Sequence, residues 1–102
     1  MTIYAATIKG RGIVAFQAEN GTDAEFRMRD RVFRDDLMVL ATDGVPLWDG
    51  VTDVVVRPAR PHEEAKWRAS RAKAIRQGSI ESKDDSWIAF LVVLDDSGRA
   101  RR

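Results

Sequence analysis

The chain contains no cysteine and a single histidine, His62. Without thiols there is no disulfide framework, no thiolate metal site and no cysteine nucleophile. One imidazole cannot furnish a two-histidine metal site. No Gly-x-Ser-x-Gly stretch nominates a serine to pair with it. Charge of one sign is lacking too. Seventeen Lys and Arg meet sixteen Asp and Glu, for a net charge of +1, so long-range attraction to a polyanion is modest. The longest apolar run, Trp87 to Leu94, is eight residues, where a membrane span needs roughly 18. The N-terminus, Met1-Thr2-Ile3-Tyr4, has no basic region ahead of an apolar stretch. No secretory signal is read there, and a cytoplasmic location is the expectation.

What is present fits one soluble α+β domain. The 102 residues are 44% apolar and 32% charged, which argues against a disordered chain. Ile3–Ile8 and Ile13–Ala18 read as two strands joined through Gly10-Arg11-Gly12, a turn composition that predicts a hairpin. Alternation puts Tyr4, Ala6 and Ile8 on one face of the first strand, and Val14, Phe16 and Ala18 on one face of the second. Asn20-Gly21-Thr22 has the glycosylation pattern but reads as a turn.

Thr22-Asp23-Ala24-Glu25 matches a capping box and predicts a helix start. Beyond it Phe26, Phe33, Leu37 and Leu40 share one helical stripe, while Met28, Val32 and Val39 lie nearly opposite. Such a helix is deeply buried, touches a partner, or ends near Asp35-Asp36. In the last case 37–48 forms a tight hairpin turning at Asp43-Gly44. In the alternative, Gly44 caps one long helix. Val51–Arg57 reads as a strand covered on both sides. A second helix is expected from Pro61 to about Gln77, with Glu63 and Glu64 in its first turn and Gly78 after its end. Trp87–Leu94 is the strongest strand signal. Trp87, Leu91 and Val93 fall on one face, and Ile88, Phe90, Val92 and Leu94 on the other, so an interior position in the sheet is expected.

The expectation is therefore a single α+β domain over residues 1–95: a mixed or antiparallel sheet of four to six strands, packed by two helices. Residues 96–102 would be a flexible basic tail.

Chemistry-bearing motifs are few. Gly10-Arg11-Gly12-Ile13-Val14-Ala15 matches the dinucleotide fingerprint, but that motif must open a helix, and these residues favour strand. His62 lies in a helical first turn, where the dipole disfavours its charged form. An acid–base role with Glu63 or Glu64 is the least favoured reading. Asp35-Asp36, Asp84-Asp85 and Asp95-Asp96 are adjacent pairs whose side chains diverge on any regular element, so they read as turn or cap residues. No cofactor or metal is implied.

Charge is uneven along the chain. Residues 57–76 carry seven basic groups and two acids, whereas 19–53 carry four Arg and nine acids. The leading expectation is a non-enzymatic interaction module with a protein partner or a second copy of itself. Its contact residues would be Met28, Val32, Trp48, Trp67 and Arg71. For the tryptophans two readings stand. In one, the small face Ala65, Ala69 and Ala72 packs on the sheet with Trp67 at a rim. In the other, the favoured one, Trp48 and Trp67 both close the core of a small domain. The alternative is a nucleic-acid accessory protein using Arg60, Lys66, Arg68, Arg71, Lys73 and Arg76. On a helical wheel those charges do not form one stripe.

Overall fold

A computed structural model of the protein describes residues 2–82 and 87–95. The elements run β1 (Thr2–Ile8), β2 (Arg11–Ala18), α1 (Gly21–Met28), α2 (Arg31–Val39), β3 (Ala41–Thr42), β4 (Val45–Pro46), β5 (Val54–Pro58), α3 (Pro61–Arg76) and β6 (Ile88–Phe90). Four strands form one antiparallel sheet in the order β5-β1-β2-β6, and β3-β4 form a small hairpin of their own. The expected flexible basic tail, residues 96–102, and the pair Asp84-Asp85 lie outside the described residues.

The first hairpin turns at Lys9-Gly10, both at positive φ (54° and 78°), rather than across all of Gly10-Arg11-Gly12. Two such residues in a two-residue loop match the right-handed twist of the flanking strands. Arg11 and Gly12 belong to β2. A bulge next to Ala6/Thr7 leaves Ile13 as the extra residue on β2, and Ile13 joins Val14 in the same apolar cluster.

The sheet is covered on both faces along β1, β2 and β6. β5 starts only at Val54 and lies at the other edge with Val55 56% exposed, so the two-sided cover expected for Val51–Arg57 is not found. Ala6, Ile8, Val14, Phe16 and Ala18 pack with Ala24 and Met28 of α1, Leu37 of α2, and Leu47 and Trp48; Tyr4, Val54, Val56, Ile88 and Phe90 border them. The opposite face holds Ile3, Ala15 and Ala89 against Trp67 of α3, with Trp87 and Leu91 alongside. The alternation read from β1, β2 and residues 87–92 is thus the one observed. The interior position expected for Trp87–Leu94 is not: β6 is short and lies at the sheet edge. Apolar side chains on both faces report cover above and below, which an edge strand in a three-layer arrangement also has.

The first helical segment divides in two, giving three helices instead of two. Asn20, not Thr22, is the cap of α1: its side chain accepts from the Asp23 N–H at 2.9 Å, and Asp23 in turn accepts from the Glu19 N–H at 3.0 Å. The cap therefore lies two residues before the expected one, and the reciprocal bond of its third helical residue is to Glu19 rather than to the cap itself. The chain breaks at Asp30, whose carboxylate accepts from the Val32 N–H and caps α2. Arg34 donates to the Met28 carbonyl at 2.7 Å and so satisfies the end of α1. The break resolves the two apolar stripes. Ala24 and Met28 face the core from α1, and Leu37 from α2, while Phe26 and Val32 are left 73% and 70% exposed.

The hairpin at Asp43-Gly44 forms as expected, although α2 extends through Val39, so only the 41–46 part is strand. Asp95 clamps its turn. The carboxylate accepts from the N–H groups of Asp43 at 2.8 Å and Gly44 at 2.6 Å, and the Asp95 N–H donates to Ala41. Between β4 and β5, Asp49 accepts from the N–H groups of Val51 and Thr52 and from the Thr52 hydroxyl. The Thr52 hydroxyl and these amides hold its carboxyl far below the usual range.

The capping geometry separates two residues that sequence alone does not. Asn20→Ala is expected to lower stability by about 1 kcal/mol, while Thr22→Ala changes it by a few tenths at most. Urea unfolding of the two variants measures the difference; equal losses would contradict the observed cap.

Candidate functional site

Two surface features carry side chains able to recognise something. The first is an apolar groove of about 480 Å³ between the helices and the outer part of the sheet. Phe16 of β2 and Met28 of α1 form its floor. Phe26, Phe33, Trp87 and Ile88 form its walls, and Arg27, Arg29 and Asp30 its polar rim. The groove adjoins β6, whose outer edge is unpaired among the described residues. Ala89 faces Ala15 across the ladder, and the Leu91 N–H donates to Ile13. The antiparallel alternation then turns the N–H and C=O groups of Ile88 and Phe90 outward.

The second is a polar cleft of about 220 Å³ where the β1–β2 turn meets the start of α3. Its centre is an ion pair. Arg57 of β5 donates to both oxygens of Glu63, at 2.7 and 2.9 Å, and the Arg60 N–H donates to the same carboxylate at 2.8 Å. The Glu63 side chain is 5% exposed and that of Arg57 is 25% exposed. The Arg57 guanidinium, helped by the Arg60 N–H, outweighs the cost of burial and holds the Glu63 carboxyl at about 2, against an ordinary 4.5. The same pairing raises the Arg57 guanidinium further above its usual range. Gly12 is required beneath this pair: a Cβ there would lie 2.6 Å from Glu63 Oε2 and 3.1 Å from Leu91 Cδ1.

This geometry removes Glu63 as a partner for His62. A carboxylate with a pKa near 2, fixed by three donated hydrogen bonds, is a poor proton acceptor at neutral pH. Glu64 is paired with Arg68 at 2.8 Å, and the imidazole is exposed.

No family model, curated protein or solved structure matches this chain.

The five residues expected at a contact surface are not brought together. Met28, Trp48 and Trp67 are buried, Val32 is exposed on α2, and Arg71 is half-buried on α3. Trp48 donates its ring N–H to the Thr52 carbonyl at 2.7 Å under the Arg34 guanidinium. Of the two readings of α3, the structure has the core one: Trp67 turns to the sheet, and Ala65, Ala69 and Ala72 face outward, so the rim placement of Trp67 is not found. The physical reason lies in the strands below. Ala15 and Ala89 leave a shallow slot that an indole fills and an alanine face would leave empty. The Trp67 ring N–H reaches the Trp87 carbonyl, the Trp87 ring N–H reaches Ser70, and the Arg71 guanidinium lies 5.7 Å from the Trp67 ring centre.

The six basic residues of the nucleic-acid reading are also divided. Arg60 and Lys66 border the cleft; Arg68 is spent on Glu64; Arg71 reaches the Ser82 carbonyl; Lys73 and Arg76 lie exposed near the far end of α3. Sequence reasoning missed Arg11, which enters the cleft from the β1–β2 turn, and the joining of Phe26 and Phe33 with Trp87 in one groove. These meetings depend on sheet order and have no local signal.

The Glu63 carboxyl is lowered on folding, so its contribution is complete above pH 4.5 and is lost as pH falls toward 2. Over that window it amounts to about 3 kcal/mol. Glu63→Gln should therefore be less stable than wild type at pH 7, with the gap closing between those two pH values. Denaturant titrations at several pH values check it; a gap independent of pH would contradict the charged pair. Gly12→Ala should cost about 1–3 kcal/mol through displacement of the same carboxylate, measured as a fall in the thermal midpoint.

Proposed function

We propose that the protein is a non-enzymatic interaction module whose partner adds a strand to the outer edge of β6 and places an apolar side chain in the adjoining groove. The observation that carries this reading is the juxtaposition itself. An unpaired strand edge supplies main-chain hydrogen bonds, and an apolar groove beside it supplies side-chain selectivity, which together are the means by which an extended segment is recognised. Phe16, Phe33, Trp87 and Ile88 provide aromatic and aliphatic walls of the kind that anchor interfaces.

The partner we name is a second copy of the chain. Antiparallel pairing of one β6 edge with its own copy is self-complementary about a two-fold axis. It would extend the four-stranded sheet continuously and cover a wall of the groove that includes Phe26, 73% exposed in the single chain. A large aromatic ring left this exposed at the lip of an apolar groove favours cover by a partner.

Sedimentation equilibrium tests the reading. Wild-type protein should associate to a dimer at micromolar concentration, and Phe26→Glu, at a position exposed enough to leave folding intact, should remain monomeric. A wild type that stays monomeric at high micromolar concentration would remove the homodimer; a dimer unaffected by Phe26→Glu would remove the groove from it.

A further inference from the structure

We propose that the cleft between the β1–β2 turn and α3 binds a phosphoryl group. Four cations line it, Arg11, Arg57, Arg60 and Lys66, against one carboxylate, Glu63, leaving a local charge of +3 on a chain whose net charge is only +1. The single carboxylate is already committed: both of its oxygens accept from Arg57, and one accepts from the Arg60 N–H. Arg11, Arg60 and Lys66 are exposed, and none of the three has a carboxylate partner among the described residues. They come from two separate elements, the strand after the first turn and the start of α3, and they converge on one concavity of about 220 Å³.

Three like charges around one small concavity repel, and a bound multivalent anion reverses that cost. A single carboxylate would neutralise one of the three. A phosphoryl group brings nearly two charges at neutral pH and three strong acceptor oxygens, which matches three separate donors. The exposed amides of α3 are not what marks the site. Pro61 has no N–H, and those of Glu63 and Glu64 donate to the Arg60 carbonyl. The site is made of side chains, and the buried Arg57–Glu63 pair beneath them is its fixed floor.

The test is calorimetric titration of the full chain at low ionic strength with inorganic pyrophosphate, with citrate, and with a short single-stranded oligonucleotide. Pyrophosphate should bind at one saturable site. Arg11→Ala and Lys66→Ala, both at exposed positions, should each weaken binding about tenfold, as expected for loss of one hydrogen bond to a charged group. Arg68→Ala and Lys73→Ala, equal in charge but outside the cleft, should leave it unchanged. Oligonucleotide binding that is tighter than pyrophosphate and equally sensitive to Arg11→Ala identifies the phosphoryl source as a nucleic-acid backbone. Tighter pyrophosphate binding identifies a small phosphorylated ligand. The proposal is overturned by the absence of saturable pyrophosphate binding, by citrate binding as tightly, or by Arg68→Ala and Lys73→Ala weakening binding as much as the cleft variants. Thermal midpoints of all four variants keep loss of folding distinguishable from loss of the site.

Discussion

A β-hairpin apolar on both faces has to be covered twice, and this demand organises the rest of the chain. In β1 and β2 every second residue is apolar on one side, and most of those between them are apolar on the other. Burial of such a hairpin calls for one layer above and another below. α1 and α2 supply the first layer and α3 the second. The two layers are unequal. The first is built from many medium side chains. The second rests largely on Trp67, set over Ala15 and Ala89, so the alanines of the strands serve as the recess for one large ring.

Within that frame the Arg57–Glu63 pair ties the sheet to α3 at the end remote from Trp87. Loss of one partner's charge is costly, but against replacement of the whole pair by apolar side chains the net gain from the pair is small, because desolvation offsets much of the attraction. Its value here is positional. It aligns the first turn of α3 against Gly12, and so decides which basic residues stand around the neighbouring cleft. The groove on the opposite side of the sheet depends on a different accident of geometry, the break at Asp30. That break turns Phe33 inward and leaves Phe26 at the lip.

Much of the fold was legible in the residues. The α+β class, the facing sets in β1, β2 and 87–92, the turn at Asp43-Gly44 and the extent of α3 all follow from period and turn chemistry. What was not legible has physical causes. Asn20 and Thr22 are both good caps two residues apart, and only the backbone path selects between them. Asp30 is a cap that periodicity cannot see, because the apolar pattern runs past it. The orientation of α3 could not be read from α3 itself. Its two candidate faces differ in which one the strands can accommodate, and that information resides in Ala15 and Ala89. The candidate surfaces were least legible, since Arg11 and Lys66, or Phe33 and Trp87, meet only after the strands have been ordered.

The clamp made by Asp95 joins parts of the chain that lie far apart in sequence. The β3–β4 hairpin has two residues in each strand and is too small to persist unaided. Its turn amides are held by a carboxylate more than fifty residues away, just beyond β6. Detachment of the edge strand would therefore take away the partner of both turn amides and leave the hairpin held through Leu47 and Trp48, whose N–H groups donate to Leu40 and Leu37.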